Sequence, residues 1–132
     1  MMPKVVIDTN VVVSALLTPH GNSAKVLDMV FNEKLKPCYC AEILAEYTKV
    51  LSRPRFDFSI EDQKNVIEGF MKHGMLTECS LSEINFTDVS DQVFYDVARK
   101  SDAYIVTGNA KHFPVEPHII SPAECVKLII PE

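Results

Sequence analysis

An α/β fold, with a mainly parallel sheet covered by helices on both faces, is the architecture this chain predicts, and two observations carry it. Strand-like and helix-like stretches alternate along the sequence. The two clearest strand candidates, Val5 to Asp8 and Ala103 to Thr107, are apolar on both sides, as strands between two helical layers must be. No internal repeat, low-complexity tract or linker-like change of composition interrupts the 132 residues, so a single domain over 1-132 is expected.

Val5 to Asp8 reads as a short buried strand, followed by a helix starting within Val11 to Leu17 and interrupted by Pro19-His20-Gly21. Ser23 is placed to cap the next helix, about Ala24 to Phe31, whose Leu27, Val30 and Phe31 fall on one side. Leu35 to Tyr39 resumes in extended form. Ala41 to Leu51 has amphipathic helical spacing and must end before Pro54, because the residue preceding proline avoids helical backbone. Ser59 opens another helix, with Asp62 three positions on and Val66, Ile67, Phe70 and Met71 at helical intervals, and Gly74 closes it. Met75 to Cys79 is a strand candidate. Asp88 or Ser90 caps a helix carrying Phe94, Val97 and Ala98, after which Ala103 to Thr107 forms a strand punctuated by Gly108-Asn109. His118 to Ile120 adds a short edge strand. Ser121-Pro122-Ala123-Glu124 then combines a capping serine, a first-turn proline and a reciprocal glutamate, a strong helix start.

Composition narrows the function. Apolar runs are short, the longest near Val11 to Leu17, and fall well below the roughly 20 residues that span a bilayer. A single lysine precedes Asp8, which is no secretory signal, so a cytoplasmic location without membrane attachment is expected. Cys38, Cys40, Cys79 and Cys125 lack zinc-site spacing and are expected to be reduced. The formal net charge of -5 argues against a broad electrostatic grip on nucleic acid, while Lys49, Arg53, Arg55, Arg99, Lys100 and Lys111 offer local cations.

Asp8-Thr9-Asn10 breaks an otherwise apolar segment where a buried strand ends. A carboxylate there needs a partner, since burying it alone is costly. A helix cap is the ordinary explanation. Glu46 falls at the edge of the apolar arc formed by Ile43, Leu44, Tyr47, Val50 and Leu51, able to lean toward the sheet or to pair with Lys49 or Arg53. Asp91 suits a helix N-terminus, Asp96 a solvated position, and Asn109 a left-handed turn. Taken singly, each reads as structural.

Together they resemble something specific. Asp8-Thr9-Asn10, Ile43-Leu44-Ala45-Glu46-Tyr47 with Leu51 and Arg53-Pro54-Arg55-Phe56, Asp91 ahead of Phe94 and Ala98, and Tyr104-Ile105-Val106-Thr107-Gly108-Asn109 before His112-Phe113-Pro114 are similar in order and spacing to the PIN-domain family, closest to the VapC-type toxins of toxin-antitoxin systems. The resemblance implies a three-layer α/β/α PIN-like fold with a central, mainly parallel sheet, and a Mg²⁺- or Mn²⁺-dependent endoribonuclease. By that resemblance Asp8, Glu46 and Asp91 are catalytic acids and metal ligands, Asn109 is a further ligand, and Asn10, Thr107 and Asp96 support the site or touch substrate. Many relatives carry Asp where this chain has Asn109, and some VapC-type toxins carry an acid where it has His112, which bears on a second metal. An RNA substrate, an antitoxin protein and a homodimer or higher homo-oligomer are the partners implied.

The chemistry is coherent. Clustered carboxylates repel unless a dication lies among them, and hard cations prefer oxygen ligands while retaining waters that attack a phosphodiester. A PIN-fold module that binds RNA or protein with weakened catalysis is the alternative. An aspartyl phosphatase of the haloacid-dehalogenase type would want a second acid where Asn10 stands.

Overall fold

The computed structural model describes residues 2–78 and 89–128. Among these residues the sheet has five strands, β1 (Lys4–Ile7), β2 (Lys36–Tyr39), β3 (Met75–Leu76), β4 (Tyr104–Val106) and β5 (Ile119–Ile120), in the order β3-β2-β1-β4-β5. Every pairing is parallel, Val5 standing opposite Pro37 on one side and Tyr104 on the other. Among the described residues six helices flank the sheet: α1 (Thr9–Leu17), α2 (Asn22–Phe31), α3 (Ala41–Leu51), α4 (Ile60–His73), α5 (Val89–Ser101) and α6 (Pro122–Leu128). This is the three-layer α/β architecture that the apolar strands require, since Val5, Val6, Ile7, Ile105 and Val106 are completely buried.

The helices form where the apolar periodicity places them. α3 buries Ile43, Tyr47, Val50 and Leu51 on one face. α5 lies along β1, β2 and β4 and also packs on α3, while α1 packs on α2 and α3. Ser59 caps α4 by accepting from the Asp62 N–H at 3.0 Å. Ser121 and Glu124 form a reciprocal box at the start of α6, at 2.9 and 3.1 Å.

Several expectations need correction. Ser23 does not cap α2, which begins a residue earlier behind Gly21 and buries Ser23 inside it. Ser90 falls within α5 rather than ahead of it, and Asp88, like Cys79 at the end of the third strand candidate, lies outside the described residues. Asn109 has φ -128 and ψ 61, outside the left-handed region. Asp96 is buried, because α5 is covered by the sheet and α3 and leaves this position little solvent. Cys40 is disulfide-bonded, whereas Cys38 and Cys125 are free buried thiols, with burial pushing Cys125 up to about 12. Spacing along the chain does not reveal which cysteines folding brings together.

Candidate functional site

The chain runs outward from β1 through β2 to β3, then returns to the opposite side of β1 as β4. That reversal opens a crevice beyond the carboxyl ends of β1 and β4, the place where parallel α/β sheets hold their ligands. Asp8 follows β1 there and Thr107 follows β4, joined by Asp8 N–H to Val106 carbonyl at 2.9 Å and Thr107 Oγ1 to Asp8 Oδ2 at 2.7 Å.

Asp8 occupies the N-cap position of α1, yet its side chain makes no capping hydrogen bond. Burial raises its carboxyl above the usual aspartate range, outweighing the Thr107 hydroxyl, the neighbouring Thr9 and Asn10 backbone N–H groups and His112, which all act to lower it. Capping alone therefore does not account for Asp8, whose Oδ2 is taken by Thr107 and whose carboxyl stays raised by burial. Asp8 faces a cavity of about 360 Å³ whose walls include Asn10, Glu46, Asp91, Arg53 and His112. Glu46 comes from the middle of α3 and Asp91 from the first turn of α5, so three separate elements each send one acid to a common space. His112 Nδ1 stands 3.7 Å from Asp91 Oδ2, an ion pair when the imidazole is protonated.

The other candidates divide. Thr107, almost fully buried, is the side chain that holds Asp8, in keeping with a supporting role, while Asn10 Oδ1 is buried with no hydrogen-bond partner. Asn109 is absent from the cavity wall and instead donates its backbone N–H to Thr107 Oγ1 at 3.0 Å. Asp96 is likewise absent from the wall. Sequence reasoning left Arg53, Arg55 and Phe56 without a site role, although the Arg53-Pro54-Arg55-Phe56 stretch was a visible signal. A larger cavity of about 540 Å³, beside Arg99, Tyr104 and His118, opens at the amino ends of β4 and β5, away from the strand ends where such folds place their chemistry.

The donor chemistry fits a hard dication. Two carboxylates and a buried Asn10 oxygen lacking any partner present oxygen ligands around Asp8, and no lysine or arginine ion pair neutralises Asp8 among the described residues. No three His, Cys, Asp or Glu side chains among the described residues stand close enough to hold an ion directly between them. An ion that keeps several waters suits this looser arrangement.

Thr107→Val tests the support of Asp8. The substitution keeps the buried shape while removing the hydroxyl that Asp8 and Asn109 share. Thermal melting should show a loss of about 1–3 kcal/mol, and any activity that depends on Asp8 should fall by about 10–100-fold.

A parallel α/β domain with an acid-lined cavity at its topological switch point is thus the class that fold and site define. The chain belongs to the PIN-domain family: residues 4–111 match the model of the PIN domain. It is 32% identical over 109 residues to the uncharacterized protein MJ1680 of Methanocaldococcus jannaschii, spanning 80% of this chain and 70% of that one. Its fold is similar, with TM-score 0.57 and 18% identity, to a chain in the crystal structure of VapBC2 from Rickettsia felis bound to a DNA fragment from their promoter, covering 89% of this chain and 96% of the other. No helix among the described residues is long and apolar enough to cross a membrane.

Proposed function

We propose that this PIN-domain chain is a Mg²⁺- or Mn²⁺-dependent endoribonuclease, acting in the cytoplasm as the toxin of a toxin-antitoxin pair. Membership of the family and the fold shared with a VapBC2 chain support the reading. The observation that carries it is the meeting of Asp8, Glu46 and Asp91, from three elements, on one cavity at the switch point. An antitoxin protein and self-association as a homodimer or higher homo-oligomer belong to the same proposal.

In this reading Asp8, Glu46 and Asp91 would hold the metal in part through its own waters, with the unpartnered Asn10 oxygen on the same cavity. Bound there, a dication would make water a better nucleophile and stabilise charge on the leaving oxygen. The chain itself supplies a buried, hydrogen-bonded Asp8 that cannot swing away, because Thr107 grips one of its oxygens. Asn109, off the cavity wall, adds no charge to that set, which favours one principal ion over two.

A second reading is favoured by one observation: the absence, among the described residues, of a tight three-residue ligand cluster suits a PIN-fold binding module with weakened catalysis. Incubating the protein with an unstructured RNA, with Mg²⁺, with Mn²⁺ and with EDTA, and reading the products by mass spectrometry, separates the two. Discrete fragments that disappear in EDTA are expected; intact RNA under every condition would overturn the nuclease.

A further inference from the structure

A site lined by acids in a chain of net charge -5 repels the phosphates it is proposed to cut, so something local must draw the strand in. Arg53 and Arg55 are the lysine or arginine residues lining the acidic cavity, and both are exposed. They flank Pro54, whose ring fixes the backbone at the start of the 3-10 turn Pro54–Phe56. Asp57 closes that turn in the left-handed region, at φ 51.

The turn is braced. The Arg55 guanidinium carbon lies 4.8 Å from the Phe56 ring centre, and Phe56 stacks on Phe58 with centroids 5.4 Å apart and planes 13° from parallel. Stacking on an aromatic ring restricts a long side chain without using its N–H donors. Although Glu46 and Asp91 share the cavity with them, neither arginine forms an ion pair with a carboxylate among the described residues. Two guanidinium groups beside an acidic site, that of Arg55 stacked on Phe56 and neither one ion-paired among the described residues, match the fork geometry of phosphate oxygens.

We infer that the turn from Arg53 to Phe56 is a phosphate clamp, in which Arg53 and Arg55 bind the RNA backbone on either side of the scissile phosphate and seat the strand against Asp8, Glu46 and Asp91. The inference rests on the ribonuclease reading for its substrate. The clamp touches flanking phosphates only, so it governs binding rather than the chemical step.

The test uses the full chain and a fluorescein-labelled, unstructured RNA 12-mer. Binding is read by anisotropy in Mg²⁺ between 50 and 300 mM KCl, on an Asp8→Asn background that prevents cleavage. Replacing both arginines by alanine should weaken binding by about tenfold per residue and flatten the plot of log affinity against log salt by about 1.4, the release expected for two single-strand contacts. Lysine at both positions should restore the slope but only part of the affinity, since an ammonium lacks the guanidinium fork. With Asp8 intact, the double alanine variant should raise KM while kcat stays within about threefold. An unchanged slope and unchanged KM in a folded double variant would overturn the clamp. If the parent cleaves RNA while the slope is unmoved, the clamp alone falls. If the slope moves but the parent cleaves nothing in any metal, the nuclease alone falls, and a parent that neither binds nor cuts RNA removes both.

Discussion

Asp8→Asn is expected to abolish RNA cleavage, by on the order of 10³-fold or more, while making the metal-free protein more stable. The two effects have one origin. Burial raises the Asp8 carboxyl above the value of about 3.9 that an unfolded aspartate has. Across the interval between the unfolded value and the raised folded one, the native state binds more protons, so stability falls as pH rises. Above the folded value the whole penalty is present, and below about pH 4 it is gone because both states are protonated. Asparagine cannot ionise. Thermal melts in EDTA should therefore favour the variant by a few degrees at pH 7 and show no difference near pH 4. If Asp8 holds the proposed metal, magnesium should raise the melting temperature of the parent by binding the folded site alone, and leave that of the variant nearly unchanged. Retained cleavage in Asp8→Asn would remove Asp8 from the mechanism; equal melting at pH 7 would mean its carboxylate is not under the strain that burial implies.

How far such a site can be read from sequence depends on which interactions are local. Asp8 announces itself because a carboxylate interrupts an apolar run, and α3 announces itself because Ile43, Tyr47, Val50 and Leu51 repeat at helical spacing. The caps at Ser59 and Ser121 were legible for the same reason: each needs only its own next few residues. The Ser23 cap failed because Gly21, extended at φ -82, lets α2 begin sooner. Contacts between distant elements were not legible. That Thr107, far along the chain, rather than adjacent Asn10 would grip Asp8 follows from β4 lying beside β1. That Asp96 would be buried follows from how α5 beds on the sheet, and that Arg53 and Arg55 would look into the acidic cavity follows from where the 3-10 turn folds back. Spacing carries no information about these until the topology is known.

Tyr47 is where the fold and the site are the same structure, and its removal should have the largest effect on stability. The residue is buried, with its ring 5.1 Å from that of Phe70 and 6.2 Å from that of Phe94, and its hydroxyl donates to the Ile7 carbonyl. Burial and the nearby Asp8 carboxylate hold the phenol well above its ordinary range, so the donor proton stays in place. Tyr47 is the chain neighbour of Glu46, and Ile7 is the neighbour of Asp8; the hydrogen bond is thus a strut between the helix carrying one acid and the strand carrying the other. Tyr47→Ala should destabilise by about 3–5 kcal/mol, which would leave a domain with 5–15 kcal/mol of total stability marginal or unfolded. Tyr47→Phe separates the two roles. It keeps the ring in the core and removes only the strut, a change of about 1–3 kcal/mol that leaves the chain folded. Cleavage by this variant should nonetheless drop by about tenfold or more, because α3 is then free to shift relative to β1, and small misplacements of acting groups are expensive. Denaturant melts and rate measurements on the same preparation decide it. A Phe variant that is destabilised but cleaves at the parental rate would show that Asp8 and Glu46 keep their spacing without the strut, and that the packing of α3 against Phe70 and Phe94 alone positions the helical acid.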